Sequence, residues 1–257
     1  MKIVFAGAGR LATNFALALS QAGHQIAAVY SRTMASAEGL ARLVGSEATD
    51  DIGSLPHEAD AFIISVKDDA LASVAGRLAV GRQNQVFLHT SGAVPMAAVG
   101  TVGHHGVIYP LQTFSKERQV DFSRVPFFIE GSDAVAQEAA HSIATSLSSR
   151  VQVLASADRR RLHLAAVFAC NFSNHCYALA AEVLGKCGLT FDVLLPLIDE
   201  TTAKVHHMSP RDAQTGPAVR YDENVIRAHE QLLADDPQLQ AVYSELSRSI
   251  HQLYQRQ

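Results

Sequence analysis

Residues 3–12 read IVFAGAGRLA, and this stretch decides the fold. A β-branched and aromatic run passes directly into Gly7-Ala8-Gly9-Arg10-Leu11-Ala12, and RLATNFALALSQAG then has the pattern of a helix ending at Gly23. Strand, G-x-G-x-x-A turn and helix, in that order, open a dinucleotide-binding βαβ unit. In such a unit Gly7 permits the tight turn, Gly9 lets the backbone approach a pyrophosphate, and Ala12 lets the helix pack on the strand. The amides at the helix start, around Arg10 and Leu11, then face phosphate oxygens with the helix dipole behind them.

Working outward, the next strand candidate is QIAAVYS, and a ribose-binding acid is expected at its end. No Asp or Glu precedes Glu38, and the position holds Tyr30-Ser31-Arg32-Thr33. A carboxylate there would repel a 2′-phosphate, whereas Arg32 pairs with one and the hydroxyls of Ser31 and Thr33 donate to it. The expected cofactor is therefore NADP(H) rather than NAD(H).

Five more strand candidates follow, AFIISV, QVFLHTS, GVIYPL, PFFIEG and RVQVLA, with AVAQEAAHSIATSLS as a crossover helix before the last. This alternation predicts a doubly wound, Rossmann-type parallel sheet, an α/β fold. Ligands bind such sheets beyond the carboxyl ends of the strands. That rule nominates Ser65, Val66 and Asp69 from ISVKDDAL, and His89, Thr90 and Ser91 from FLHTSGAVP, for the nicotinamide half of the cofactor. Asp69 equally suits a helix cap.

Strand signals stop near residue 155. The next stretch, ADRRRLHLAAVFACNFSNHCYALAAEVLGKCG, is apolar almost all round from Leu162 to Leu184, the mark of a buried helix. Further helical patterns follow, one interrupted or kinked at Pro196. The organisation read from this is 1–154, a dinucleotide-binding domain, and 155–257, an all-α domain for substrate and dimerisation.

Composition narrows the function classes. The 257 residues are 48% hydrophobic and 18% charged, with a formal net charge of -4 and a pI near 6.3, which speaks against nucleic acid as a partner. No apolar run approaches the roughly 20 residues of a membrane span. The N-terminus enters a strand directly, so the expected location is the cytoplasm. Cys170, Cys176 and Cys187 form no CxxC pair and are expected to pack as small apolar residues. The His104-His105 and His206-His207 doublets make poor ligand geometry, and no metal is expected.

The order of parts resembles the 6-phosphogluconate dehydrogenase-like superfamily, a Rossmann domain followed by a helical one. GAGRLA, YSRT and SVKDDAL resemble the NADP-binding domain shared by pyrroline-5-carboxylate reductases and deazaflavin-dependent NADP reductases. With HLAAVFACNF and TGPAVRYD, the whole chain resembles a family of NADP oxidoreductases, some members of which act as alternative ketopantoate reductases. That resemblance implies reduction of a small 2-oxo acid, with 2-dehydropantoate as the single best substrate. Several superfamily dehydrogenases carry a catalytic Lys three or four residues before an Asn on the central helix. Asn171 suits the Asn, but Phe168 and Val167 stand in the Lys positions.

The same helix offers a polar arc. At about 100° per residue His163 and Asn174 lie about 20° apart, with Asn171 about 80° away. Buried polar groups need partners, and a substrate carbonyl or carboxylate is one. His163, Asn171 and Asn174 are accordingly the candidate catalytic residues, facing the nicotinamide in an interdomain cleft, with His163 as proton donor. An interhelical hydrogen-bond network is the competing reading. In TGPAVRYD, Thr215 and Arg220 are candidate substrate contacts, Arg220 as a carboxylate fork, and Asp222 suits a helix N-cap. The function expected is NADPH-dependent reduction of a small carboxylate by a homodimer joined through its helical half. An imine reductase of the pyrroline-carboxylate type and a non-catalytic NADP(H) sensor are the alternatives.

Overall fold

The computed structural model describes residues 1–100, 103–115 and 117–255, in two compact units, Met1–Asn171 and Phe172–Gln257. The first unit runs β1 (Lys2–Ala6), α1 (Arg10–Gln21), β2 (Gln25–Tyr30), α2 (Met34–Val44), β3 (Glu47–Thr49), β4 (Ala61–Ile64), α3 (Leu71–Leu78), β5 (Val86–His89), β6 (His104–Pro110), β7 (Phe127–Gly131), α4 (Ala134–Thr145), β8 (Val151–Val153) and α5 (Ser156–Ala166). The strands form one sheet in the order β3-β2-β1-β4-β5-β6-β7-β8, parallel except where β6 meets β7. This is the doubly wound sheet expected from sequence, with the order reversing between β1 and β4. All seven strand candidates are present; the eighth, β3, is a three-residue edge strand with no apolar run to announce it.

Alternation along the strands sends side chains to opposite faces, and both faces are covered. Ile3 and Phe5 join Ala12, Phe15, Ala16 and Leu19 of α1 and Ile143 of α4 on one face. Val4, Phe62 and Ile64 join Leu71, Val74, Ala75 and Leu78 of α3 on the other. Phe15 is central to the first face, with Phe5, Phe122 and Phe127 all within 6.0 Å of it, centroid to centroid.

At the amino-terminal rim of the sheet, Arg82 is almost wholly buried. Its Nε donates to Pro56 O at 2.8 Å and its Nη1 to Leu78 O and Val80 O at 3.1 and 3.2 Å, while Nη2 reaches Leu55 O. Burial, with no carboxylate paired to it among the described residues, holds its pKa below the ordinary arginine value.

Strand content ends at Val153, beside the division at 155 read from sequence, but by packing the first unit continues to Asn171. The reason is that α5 is fastened to the sheet. Fully buried Arg159 pairs with Glu130 of β7, and its Nη2 donates to Val94 O at 2.7 Å. Ser156 Oγ donates to Glu130 at 2.6 Å and accepts from the Met96 amide at 2.9 Å.

The second unit is all helical: α6 (Ser173–Gly185), α7 (Leu195–Lys204), α8 (Pro210–Ala213), α9 (Pro217–Arg220), α10 (Glu223–Leu232) and α11 (Pro237–Gln255). Pro196 sits in the first turn of α7 rather than kinking a longer helix, a position where its missing N–H costs nothing. Asp222 caps α10, accepting from the Val225 amide at 3.5 Å.

Three expectations are corrected. A π-turn, Val167–Phe172, follows α5, so a wheel drawn at α-helical pitch does not carry from His163 to Asn171. The stretch expected to be buried also exposes Leu164, Phe168, Phe172, Tyr177 and Val183. Cys176 and Cys187 are exposed with it rather than packed inside. No helix among the described residues is long and apolar enough to cross a membrane.

Candidate active site

The turn after β1 is fixed by its neighbours. Gly7 has φ 121°, a conformation that L side chains rarely adopt, and donates to Tyr30 O at 2.8 Å. A Cβ on Gly7 would stand 2.0 Å from Ser65 O, so the ends of β1 and β4 approach as closely as a glycine allows. Gly9 differs. It precedes α1 with φ -77°, and a Cβ there would meet nothing within 4 Å. The chain itself does not require glycine at position 9.

A cavity of about 780 Å³ lies beyond the carboxyl ends of β1, β2, β4, β5 and β6. From Arg32 after β2 to Tyr109 on β6 it crosses four inter-strand steps, roughly 19 Å at about 4.8 Å each. Of the residues nominated from sequence it brings together Gly7, Gly9, Arg10, Leu11, Ser31, Arg32, Ser65, Val66, Asp69, Thr90, Ser91 and His163. Thr33 and His89 lie outside the lining. Thr33 donates to Ser36 Oγ at 2.8 Å at the start of α2. His89 is fully buried beneath the strand end, where its Nδ1 accepts from the Ser91 amide at 3.2 Å. Burial, aided by the Arg159 charge, pushes its pKa down to about 4, so it is neutral at physiological pH. Asn171 is exposed in the π-turn. Asn174, Thr215 and Arg220 belong to the second unit, where each is exposed.

Two residues that sequence reasoning missed complete the β6 end of the cavity, and a third, on α5, lies buried behind it. Tyr109 Oη lies 3.0 Å from His163 Nδ1, and Gly92 packs against both. A Cβ on Gly92 would come within 2.6 Å of the Tyr109 ring and 2.7 Å of His163 Nδ1. Burial raises the Tyr109 pKa, against the opposing charge of Arg159, so the phenol keeps its proton at neutral pH. The third is Arg159. Burial pushes its partner Glu130 up, but hydrogen bonds from Ser156 and Arg159 outweigh this and hold the carboxyl below its usual range. Arg159 and His163 are four residues apart, on one face of α5, and each meets one strand of the antiparallel pair β7 and β6. The strand-end rule could have found Tyr109 on GVIYPL; nothing in ADRRRLH marks the buried arginine.

The family described as NADP oxidoreductase coenzyme F420-dependent matches residues 2–91, and a domain of unknown function, DUF2520, matches residues 125–250. A solved Bacteroides fragilis protein, assigned as an NADP oxidoreductase, is 52% identical over 98% of both chains, with a TM-score of 0.94. The chain belongs to this NADP oxidoreductase family. A second solved structure similar to this NADP oxidoreductase is a Thermotoga maritima protein, 23% identical over 98% of this chain and 99% of that one, with a TM-score of 0.81. An imine reductase from Myxococcus stipitatus, in complex with NADP+, is 14% identical over 99% and 93% of the two chains with a TM-score of 0.69, and shares the fold. No curated protein matches the chain.

Proposed function

We propose that this oxidoreductase uses NADPH to reduce the C=O of a small 2-oxo carboxylic acid, with 2-dehydropantoate the first candidate and the C=N of a cyclic imine the second. The observation that carries the reading is one cavity that joins two kinds of group. The open approach at Gly9 and the Arg32–Ser31 end of β2 suit a dinucleotide bearing a 2′-phosphate, and Tyr109 and His163 at β6 suit proton transfer.

Bound NADPH supplies two electrons and a hydrogen to the substrate carbon. The chain's own residues do the rest. Backbone amides of Arg10 and Leu11 take the pyrophosphate, Arg32 and Ser31 take the 2′-phosphate, and Thr90 and Ser91 place the nicotinamide end. The Tyr109–His163 pair handles the proton. A location in the cytoplasm and a homodimer joined by the exposed apolar helices belong to the same reading.

NADPH oxidation measured across a panel of 2-oxo acids and cyclic imines, beside fluorescence titrations of NADPH and NADH, tests it. Turnover of a 2-oxo acid is expected, as is tighter NADPH binding that Arg32→Ala selectively abolishes. Equal affinity for the two dinucleotides in the parent enzyme would remove the argument from Arg32. Binding with no turnover on any panel member would favour a sensor.

A further inference from the structure

We propose that Tyr109, not His163, hands the proton to the substrate, and that His163 serves it by donating a hydrogen bond from Nδ1 to the phenol oxygen. This rests on the reductase reading above and assigns the last step within it.

Oη and Nδ1 are 3.0 Å apart, and one hydrogen lies between them. If the phenol spends its only proton on Nδ1, Tyr109 has nothing to give and His163 must act through Nε2. If Nδ1 carries the hydrogen, the Tyr109 O–H is free to point elsewhere. The surroundings favour the second arrangement. Gly92 is packed against the Tyr109 ring and His163 Nδ1 so closely that a single methyl would collide with both, and both residues border the cavity. Tyr109 is 8% exposed as a residue and borders the cavity, the open direction left to its O–H. The fully buried guanidinium of Arg159 acts on the phenol in the sense that stabilises its anion, and an Nδ1–H donor from His163 does the same. An imidazole that instead accepted from Tyr109 would gain nothing from Arg159. Both supports come from α5, whose position is set by the Arg159–Glu130 pair one turn earlier.

The step balances. As the substrate carbon is reduced by two electrons and NADPH becomes NADP+, the C=O π pair moves to oxygen and forms a bond to the Tyr109 hydrogen. The O–H bonding pair stays on Tyr109 as a phenolate, held by His163 Nδ1–H and the Arg159 charge. A solvent proton restores the phenol once product has left. In the imine case the same hydrogen goes to nitrogen.

Two measurements test this on the full-length protein. The first is ¹⁵N NMR of histidine-labelled enzyme without substrate, at a pH above imidazole titration, with the His163 signals assigned by their loss in His163→Gln. Nδ1 is expected to be the protonated nitrogen, and its signal is expected to shift in Tyr109→Phe. An unprotonated Nδ1 overturns the proposal, whatever the enzyme turns over. The second is steady-state kinetics with the best substrate of the panel. Tyr109→Phe is expected to lower kcat by about 10²-fold or more, as loss of a general acid does, with the NADPH Kd changed less than about threefold. His163→Gln, whose amide can still donate, is expected to lose about tenfold and to leave KM nearly unchanged. Tyr109→Phe with full kcat beside an inactive His163→Gln makes His163 the donor and overturns the assignment. Should no panel member be reduced, the reductase reading fails while the NMR result still decides the proton arrangement.

Discussion

Glu130→Gln removes one charge from a pair whose other half cannot reach water. The Arg159 side chain is fully buried and that of Glu130 is 17% exposed, so the carboxylate is the only anion paired with that guanidinium among the described residues. After the change, Val94 O and Ser156 Oγ still accept from Nη2, but the cation has lost its counter-charge. Breaking such a pair from one side costs about 3–5 kcal/mol. At roughly 2–4 °C per kcal/mol for a chain of this size, that is a fall of about 6–20 °C in Tm. Urea and thermal unfolding followed by circular dichroism measure it, and Arg159→Met combined with Glu130→Gln should recover much of the loss, because no buried charge remains. The pH dependence has a definite sign. A carboxyl held below its usual range in the folded state stabilises the protein above the unfolded pKa of about 4.3, and that contribution is lost as pH falls through the lower folded value. The parent should therefore lose more stability than Glu130→Gln as pH falls below about 4.3. A loss under about 1 kcal/mol, or a double variant no better than Glu130→Gln, would refute the argument that this pair fastens α5.

Gly7→Ala should destabilise the apo protein severely, because its Cβ strikes backbone at Ser65, whereas Gly9→Ala should leave the apo Tm unchanged and weaken NADPH binding tenfold or more; calorimetry and fluorescence titration separate the two. His89 is held neutral with a pKa of about 4, so the unfolded chain binds a proton first as pH falls, and stability should drop by about 3 kcal/mol between pH 6.5 and 4. His89→Gln should flatten that limb in urea titrations. The exposed Leu164, Phe168, Phe172, Tyr177 and Val183 predict a dimer by light scattering at micromolar concentration, and a monomer mass would count against it.

The turn at Gly7 was legible because its chemistry is local: a strand, two glycines and the start of a helix within the first twelve residues. The missing acid before Glu38 was legible for the same reason. Strand β3 was not, since three half-exposed residues carry no periodicity. Tyr109 lay within reach of the strand-end rule that found Ser65 and Thr90, but a tyrosine closing an apolar strand reads first as core. Arg159 stands among three consecutive arginines, and only tertiary structure decides which of them turns inward. The arc of His163, Asn171 and Asn174 relied on uniform helical pitch, and VFACNF contains no glycine or proline to announce a π-turn. The apolar helix shows a further limit: composition records a demand for burial, not what meets it.

Arg82 ties Leu55 and Pro56 to the carbonyls closing α3, and the two segments are consequently one mechanical part. Neither can swing out without stranding a cation that has no counter-ion beside it. In amide hydrogen exchange the two segments should open as a single cooperative unit with a common protection factor, where two independent loops would exchange at separate rates. The rim of the sheet away from the cavity is thus tied by main-chain oxygens and one side chain, at the opposite end from the strand termini that line the cavity.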